Sequence, residues 1–220
     1  KRKDDLDILQ CKKCQLVMIG QLPENLEEYY YNEDYYNAEG ENVDSGYSEM
    51  YDLMPPSFLY WQNSLIEELN ENKKPKRLLE VGAATGNLLE MIRECQPHLE
   101  LCGMEIADYA VFAMKRKGFE AYKTQIEDYK SDRKFDIVFS SETLEHLVDP
   151  KAFLGGVKEN LAEDGVFIFY IPSIILEDAK KEKGDYMRFC LNLEHTLHFT
   201  PEFLERELPI LLERQVYIQE

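Results

Sequence analysis

The 220-residue sequence has little positive charge: 25 lysines and arginines stand against 43 aspartates and glutamates, for a formal net charge of −18. An acidic chain is poorly suited to the phosphates of a nucleic acid, because binding them needs a basic face. Long apolar runs are also missing, and none approaches the roughly 20 residues that cross a bilayer. The composition therefore argues against a nucleic-acid partner and against a membrane partner.

Histidine and cysteine are scarce as well. The four histidines restrict the choice of a general base that works near neutral pH. Five cysteines, with one close pair at Cys11 and Cys14, do not resemble a disulfide framework. The charged start at Lys1 is not a signal-peptide pattern. A cytoplasmic location is the expectation.

From residue 76 onward, short apolar runs alternate with stretches of helical periodicity. The predicted strands are Arg77–Val81, Leu99–Glu105, Glu120–Lys123, Phe135–Ser140 and Gly165–Ile171. The predicted helices between them are Asn87–Cys95, Ala107–Lys117 and Pro150–Leu161. This alternation predicts an α/β fold of the doubly wound, Rossmann-like kind, with helices on both faces of a mostly parallel sheet.

The residues on either side of this region are less regular. We predict an accessory segment over residues 1–46, which is acidic and tyrosine-rich, and a second domain over residues 47–220. Helical spacing of apolar residues predicts a helix that ends near Asn72, and Gln215–Gln219 is a candidate for a sixth strand. Thr200 and Pro201 together predict the start of another helix.

A glycine-bearing turn follows the first predicted strand of the sheet. Gly82 and Gly86 enclose Ala83, Ala84 and a threonine, and a helix begins at Asn87. Glycine allows a sharp turn and close approach of a ligand, and the helix start offers unpaired N–H groups. The residues leave two ligand classes open, dinucleotides and S-adenosylmethionine. The dinucleotide fingerprint G-x-G-x-x-G is absent, and Glu80 is placed to attract an ammonium group.

The segment Glu80-Val-Gly-Ala-Ala-Thr-Gly86 resembles the first motif of class I S-adenosylmethionine-dependent methyltransferases, with Ala84 in place of the middle glycine. Glu105 ends the second strand, where that family holds the ribose hydroxyls. Residues after the third strand surround the adenine in the family, and residues after the fourth face its methionine part. The resemblance implies S-adenosyl-L-methionine as cofactor, bound by Glu80, Gly82, Ala83, Ala84, Gly86, Glu105, Ile106, Gln125, Ile126, Glu127, Ser140 and Glu142.

Candidate catalytic residues follow the fourth and fifth strands. His146 comes after the fourth strand, at the carboxyl edge where doubly wound folds bind ligands. The run from Glu194-His195 to Pro201 is similar to a motif of bacterial sugar-modifying methyltransferases, in which a Glu-His pair lies at the substrate. The resemblance implies Glu194 and His195 as catalytic residues. Packing roles for both histidines remain open, and His98 is expected at the surface.

The first 46 residues resemble the amino-terminal zinc-binding module of certain sugar C-methyltransferases and their polysaccharide-pathway relatives. A structural zinc site needs four ligands, and only the pair Cys11 and Cys14 is present, so two free thiols are predicted here. The resemblance implies zinc only if a further cysteine pair lies upstream. It also implies a tyrosine-rich lid, with Tyr35 or Tyr36 reaching the substrate.

The predicted function is methyl transfer from S-adenosylmethionine to a small-molecule acceptor, with a nucleotide-linked sugar as the candidate acceptor. Methylation of a protein or another macromolecule is the alternative within the same enzyme class. A catalytically inactive subunit that binds the cofactor and serves as a partner is the alternative from another class. An NAD-linked oxidoreductase is disfavoured because its glycine fingerprint is absent.

Overall fold

The computed structural model describes residues 7–22, 75–171 and 195–212. In chain order, its strands are β1 (Ile8–Gln10), β2 (Val17–Ile19), β3 (Arg77–Val81), β4 (Glu100–Glu105), β5 (Glu120–Lys123), β6 (Phe135–Ser141), β7 (Leu161–Tyr170) and β8 (Leu197–His198). The helices are α1 (Asn87–Cys95), α2 (Asp108–Arg116), α3 (Pro150–Asn160), α4 (Pro201–Arg206) and α5 (Leu208–Leu212), with a 3₁₀ turn at Leu144–His146. None of these helices is long and apolar enough to cross a membrane.

The main sheet has five strands in the order β5-β4-β3-β6-β7, and every pairing is parallel. The chain runs outward from β3 in one direction and then returns to continue from β3 in the other. This reversal creates a switch point at the carboxyl ends of the strands, where doubly wound folds bind their ligands. The predicted fold class is confirmed.

Alternate side chains of the central strands pack on opposite faces of this sheet. Leu78 belongs to a buried cluster with residues of α1 and α2. Its neighbour Leu79 belongs to a second cluster with residues of α3, α4 and α5. Strands buried on both faces are the expected consequence of helices that cover both sides.

Most predicted element bounds agree with the structure to within one residue, and the exception is β7. This strand begins at Leu161, four residues before the predicted start at Gly165, and its pairing with β6 is irregular between Phe135 and Ile137. Helix α3 accordingly ends at Asn160. The predicted helix ending near Asn72 and the predicted strand Gln215–Gln219 lie outside the described residues.

A second sheet joins the beginning and the end of the described chain. It has three antiparallel strands in the order β1-β2-β8, with Val17 opposite His198. Thr200 caps α4 by accepting a hydrogen bond from the Phe203 N–H at 3.3 Å, and it donates to the carbonyl of Gln15 at 3.4 Å. The hairpin formed by residues 7–22 is thereby attached to the segment that carries His195.

Candidate active site

The glycine turn after β3 has a backbone that few residue types can adopt. Gly82 and Gly86 have φ angles of 73° and 78°, and Ala84 has a φ of 45°. A Cβ on Gly82 would lie 2.2 Å from Oγ1 of Thr143, so the turn has no room for a side chain there. Both the backbone conformation and the close approach therefore require glycine at position 82. Ala84 occupies a left-handed conformation with a Cβ, which is a strained arrangement.

Two carboxylates stand beside this turn. The Glu80 side chain at the end of β3 is buried, and its Oε2 has no hydrogen-bond partner among the described residues. Burial, together with the negative charge of Glu105, raises the pKa of Glu80 well above its ordinary value. Glu105 accepts hydrogen bonds from the backbone N–H groups of Ile106 at 2.7 Å and Ala84 at 3.3 Å. Glu105 thus fixes the glycine turn against the end of β4.

The segment after β5 forms a turn, with the N–H of Asp128 donating to the carbonyl of Gln125 at 3.2 Å. Ile126 is buried in the core on the α3 face, whereas Gln125 and Glu127 are partly exposed. Gly156 of α3 packs against this turn so closely that a Cβ would lie 2.6 Å from the backbone nitrogen of Glu127. Of the three residues predicted to surround an adenine, Gln125 and Glu127 are the ones that retain exposed surface.

The end of β6 leads directly toward the glycine turn. Ser140 is fully buried, and its hydroxyl has no hydrogen-bond partner among the described residues. Glu142 has a φ of 49°, and its N–H donates to the carbonyl of Tyr170 at 2.9 Å. Thr143 then donates to the carbonyl of Ser141 at 3.1 Å. These contacts bring the 3₁₀ turn at Leu144–His146 next to Gly82.

Two histidines and a glutamate meet at this 3₁₀ turn. The rings of His146 and His195 pack edge to face with centroids 4.8 Å apart. Glu145 is buried, both of its carboxylate oxygens lack hydrogen-bond partners among the described residues, and its Oε1 lies 3.9 Å from Nε2 of His146. Burial, with a smaller effect from Glu142, raises the pKa of Glu145 to about 8. The structure therefore brings together the predicted residues His146 and His195, which are 49 positions apart in sequence.

Backbone contacts from both sides hold the His195 segment in place. The hydroxyl of Thr196 donates to the carbonyls of Leu147 at 2.6 Å and Glu145 at 3.2 Å. The N–H of Ile19 in β2 donates to the carbonyl of Thr196 at 3.1 Å. His198 is also buried, and burial, with the charge of His195, lowers its pKa to about 4. His198 is therefore a neutral imidazole within the core at physiological pH.

Cys11 and Cys14 lie in the turn that links β1 and β2. Both are free thiols, and hydrogen bonds from Cys14 lower the pKa of Cys11. The predicted catalytic residue Glu194 and the predicted substrate residues Tyr35 and Tyr36 lie outside the described residues. His98 is exposed, as expected.

Sequence reasoning missed the role of Glu145 as the buried acid of this cluster. A sequence feature that could have indicated this role is the position of Glu145, directly before His146 and three residues after Glu142. This spacing predicts two carboxylates just beyond the end of β6. Thr143 and Thr196 were missed because their contacts join segments that are distant in sequence, and no local pattern indicates such contacts.

The order of the parallel strands, with a glycine turn and two carboxylates at the switch point, defines a doubly wound α/β protein with a ligand site at its carboxyl edge. A family described as methyltransferase domain matches residues 58–209, well over half of the chain. The chain belongs to this methyltransferase domain family. The predictions of a methyltransferase that uses S-adenosyl-L-methionine are confirmed at the level of the family.

Individual relatives are distant. The chain is 26% identical to the malonyl-[acyl-carrier protein] O-methyltransferase of Anoxybacillus flavithermus over 99 residues, which cover 43% of this chain and 38% of that protein. The match to the malonyl-[acyl-carrier protein] O-methyltransferase of Acetivibrio thermocellus covers 40% of that protein. The chain therefore spans about two fifths of the length of these curated relatives.

Solved structures share the fold. The plantazolicin methyltransferase BpumL in complex with SAH matches with a TM-score of 0.61 at 14% identity, covering 86% of this chain and 78% of that one. An S-adenosylmethionine-dependent methyltransferase from Clostridium acetobutylicum matches with a TM-score of 0.50 at 23% identity, covering 60% and 58%.

Proposed function

We propose that the chain transfers a methyl group from S-adenosyl-L-methionine to a small-molecule acceptor, with a nucleotide-linked sugar or a related metabolite as the acceptor class. The observation that carries the proposal is the pair Glu80 and Glu105 on either side of the glycine turn. The family membership supports the reaction, and the resemblance of residues 194–201 to sugar-modifying enzymes supports the acceptor class.

The residues around the turn fit this cofactor. The buried carboxylate of Glu80 has an oxygen without a partner among the described residues, and the ammonium group of the cofactor's methionine part would provide the missing positive charge. Glu105 is an acceptor for hydroxyl donors such as those of a ribose. Gly82 lets the turn pack against Thr143, where a side chain would not fit. When bound, S-adenosyl-L-methionine supplies an electrophilic methyl group on a sulfonium.

His146 and His195 are the candidate groups for the acceptor. The 3₁₀ turn that carries His146 begins beside Gly82, and His195 packs against His146. A neutral imidazole nitrogen can accept the proton that a hydroxyl or amine loses on methylation. The orientation of the acceptor also matters, because displacement needs the nucleophile in line with the methyl group. Glu194, Tyr35 and Tyr36 remain candidates for contacting the acceptor on the grounds of sequence.

Calorimetric titration with S-adenosylmethionine and, separately, with NADH tests the cofactor. Binding of NADH without binding of S-adenosylmethionine would refute the proposal. Transfer of labelled methyl groups to a panel of nucleotide-linked sugars, other small metabolites and an acyl-carrier-protein-bound malonyl group then tests the acceptor. Methylation of the carrier-bound group alone would favour the macromolecular alternative that the curated relatives indicate. Cofactor binding with no transfer to any acceptor would favour the inactive partner subunit.

Substitutions separate the acceptor side from the cofactor side. His146→Ala and His195→Ala should each lower turnover while leaving the affinity for S-adenosylmethionine nearly unchanged. His98→Ala, which removes an exposed histidine from a connecting turn, is the matched control and should change neither quantity. Unchanged turnover in both of the first two variants would remove these histidines from the reaction.

A further inference from the structure

The described part of the chain contains two groups of side chains whose ligand atoms are close enough to hold a metal ion. One of them, Glu100, Cys102 and Glu120, already surrounds a cation, because Nε of Arg77 lies 3.0 Å from Glu100 and its Nη2 lies 3.9 Å from Glu120. The guanidinium compensates both carboxylates. This group is an ion-pair network at the opposite end of the strands from the glycine turn.

The other group consists of Glu145, His146 and His195, and its three ligand atoms all lie within 4.8 Å of one another. Two ligand atoms bound tetrahedrally to a zinc-like ion at about 2.0–2.2 Å are about 3.3–3.6 Å apart. Atoms that are up to 4.8 Å apart therefore need to approach by about 1.2–1.5 Å to share one ion. Rotation of partly exposed His146 can supply a movement of that size.

Glu145 makes this group different from an ordinary cluster of polar side chains. Its side chain is only 2% exposed, and neither carboxylate oxygen has a hydrogen-bond partner among the described residues. Burying a carboxylate without a partner is costly, whereas a carboxylate that binds a metal is compensated. In contrast to the first group, no lysine or arginine is paired with Glu145 in the described residues.

We propose that Glu145, His146 and His195 bind a divalent transition-metal ion at the acceptor end of the site. Two imidazoles and one carboxylate favour ions such as Zn²⁺, Co²⁺, Mn²⁺ or Fe²⁺ over Mg²⁺ and Ca²⁺, which prefer oxygen ligands. Three protein ligands leave coordination positions for water or for an oxygen of the acceptor. That the ion faces an acceptor rests on the proposed function; the binding of the ion does not.

A bound ion would change the role of the two histidines. As ligands they no longer accept the proton of the acceptor. The ion instead lowers the pKa of a bound hydroxyl, which can then lose its proton to water. This arrangement selects acceptors that offer an oxygen atom, such as a hydroxyl or carboxylate, over those that offer only carbon.

Titration with Co²⁺ alone, followed by its visible absorption and by calorimetry, tests the site. The background is Cys11→Ser/Cys14→Ser, which removes the thiol pair as a competing ligand. We expect one equivalent of Co²⁺ to bind saturably, and Glu145→Gln to weaken binding at least about tenfold. Glu100→Gln is the matched control, because it removes a carboxylate from the group that Arg77 compensates, and it should leave the affinity unchanged.

Absence of saturable Co²⁺ binding in the background protein would overturn the proposal, as would equal affinity in Glu145→Gln. Thermal melting without metal establishes that each variant is folded, and His195→Gln replaces Glu145→Gln if the latter does not fold. Binding of S-adenosylmethionine is measured in the same metal-free protein. If S-adenosylmethionine does not bind, the proposed function is refuted, but the proposed metal site is not. The two failures are therefore distinguishable.

Discussion

Replacing Glu80 by glutamine should stabilise the cofactor-free protein and weaken its cofactor binding. The substitution keeps the shape of the side chain and removes its ionisation. Glu80 is about 1% exposed, Oε2 has no hydrogen-bond partner among the described residues, and Glu105 adds a like charge nearby. The carboxylate is therefore unfavourable in the folded state until a cation reaches it.

The pH dependence follows from the raised pKa of Glu80. In the folded state Glu80 keeps its proton at pH values where the unfolded chain has lost it. The stability that comes from this retained proton is complete below the ordinary glutamate pKa of about 4.5, and it falls as the pH rises toward the folded-state pKa of Glu80. The slope is at most about 1.4 kcal/mol per pH unit. For a chain of this length, that is roughly 3–5 °C of melting temperature per unit.

Thermal melts of the native protein and Glu80→Gln between pH 5 and 8 measure this effect. The two should melt at similar temperatures at pH 5, and the variant should become the more stable as the pH rises. Calorimetry should then show an affinity for S-adenosylmethionine about 10- to 100-fold lower in the variant, since hydrogen bonds to charged groups contribute about 1.5–3 kcal/mol.

Glu94→Gln, at an exposed position of α1, is the control and should show neither effect. If the melting temperatures of the native protein and Glu80→Gln change with pH in the same way over the whole range, Glu80 does not have the pKa raised by burial on which the prediction depends. Unchanged affinity for S-adenosylmethionine would refute the placement of its ammonium group at Glu80.

Three further substitutions test the turns that are proposed to surround the cofactor. Gly82→Ala should lower the melting temperature and abolish measurable cofactor binding, because its Cβ would lie 2.2 Å from Thr143 at a φ of 73°; an unchanged affinity would show that the turn can move. Ala84→Gly should instead raise stability by about 1 kcal/mol in denaturant titration, because it relieves a left-handed backbone; a loss of stability would contradict this. Gly156→Ala should displace Glu127, whose backbone nitrogen would lie 2.6 Å from the new Cβ, and should raise the Kd for S-adenosylmethionine more than it raises the Kd for methionine alone.

The main sheet could be predicted from sequence because its signals are local. Apolar strands, the glycine turn and the helix starts each occupy a few consecutive residues, and the predicted bounds of β3, β5 and α1 agree with the structure. The early start of β7 could not be predicted in this way. The residues from Ala162 to Gly165 do not alternate or form an apolar run. In this early part of the strand the register pairs Leu161 with Phe135, and the ladder is irregular until Val166 pairs with Ile137.

The candidate site, like the main sheet, has one part that the sequence predicts and another that it does not. The residues of the glycine turn and Glu105 lie at the ends of consecutive strands, and the switch point of a parallel sheet brings such ends together. No local pattern in the sequence indicates the contact between His146 and His195, because it depends on Thr196 donating to two carbonyls near the 3₁₀ turn. The burial of Glu145 likewise follows from packing between distant segments rather than from its neighbours in sequence.

The proposed cofactor side and the proposed acceptor side of the site are built from different parts of the chain. Every residue of the glycine turn and the two carboxylates beside it belongs to residues 80–105, within one parallel sheet. His195 is held by the hairpin of residues 7–22, through Ile19 and through the pairing of Val17 with His198. Changes in that hairpin should therefore alter the acceptor contacts without disturbing the cofactor turn. If the proposed function holds, such separation would allow one methyl-donor site to be combined with different acceptors.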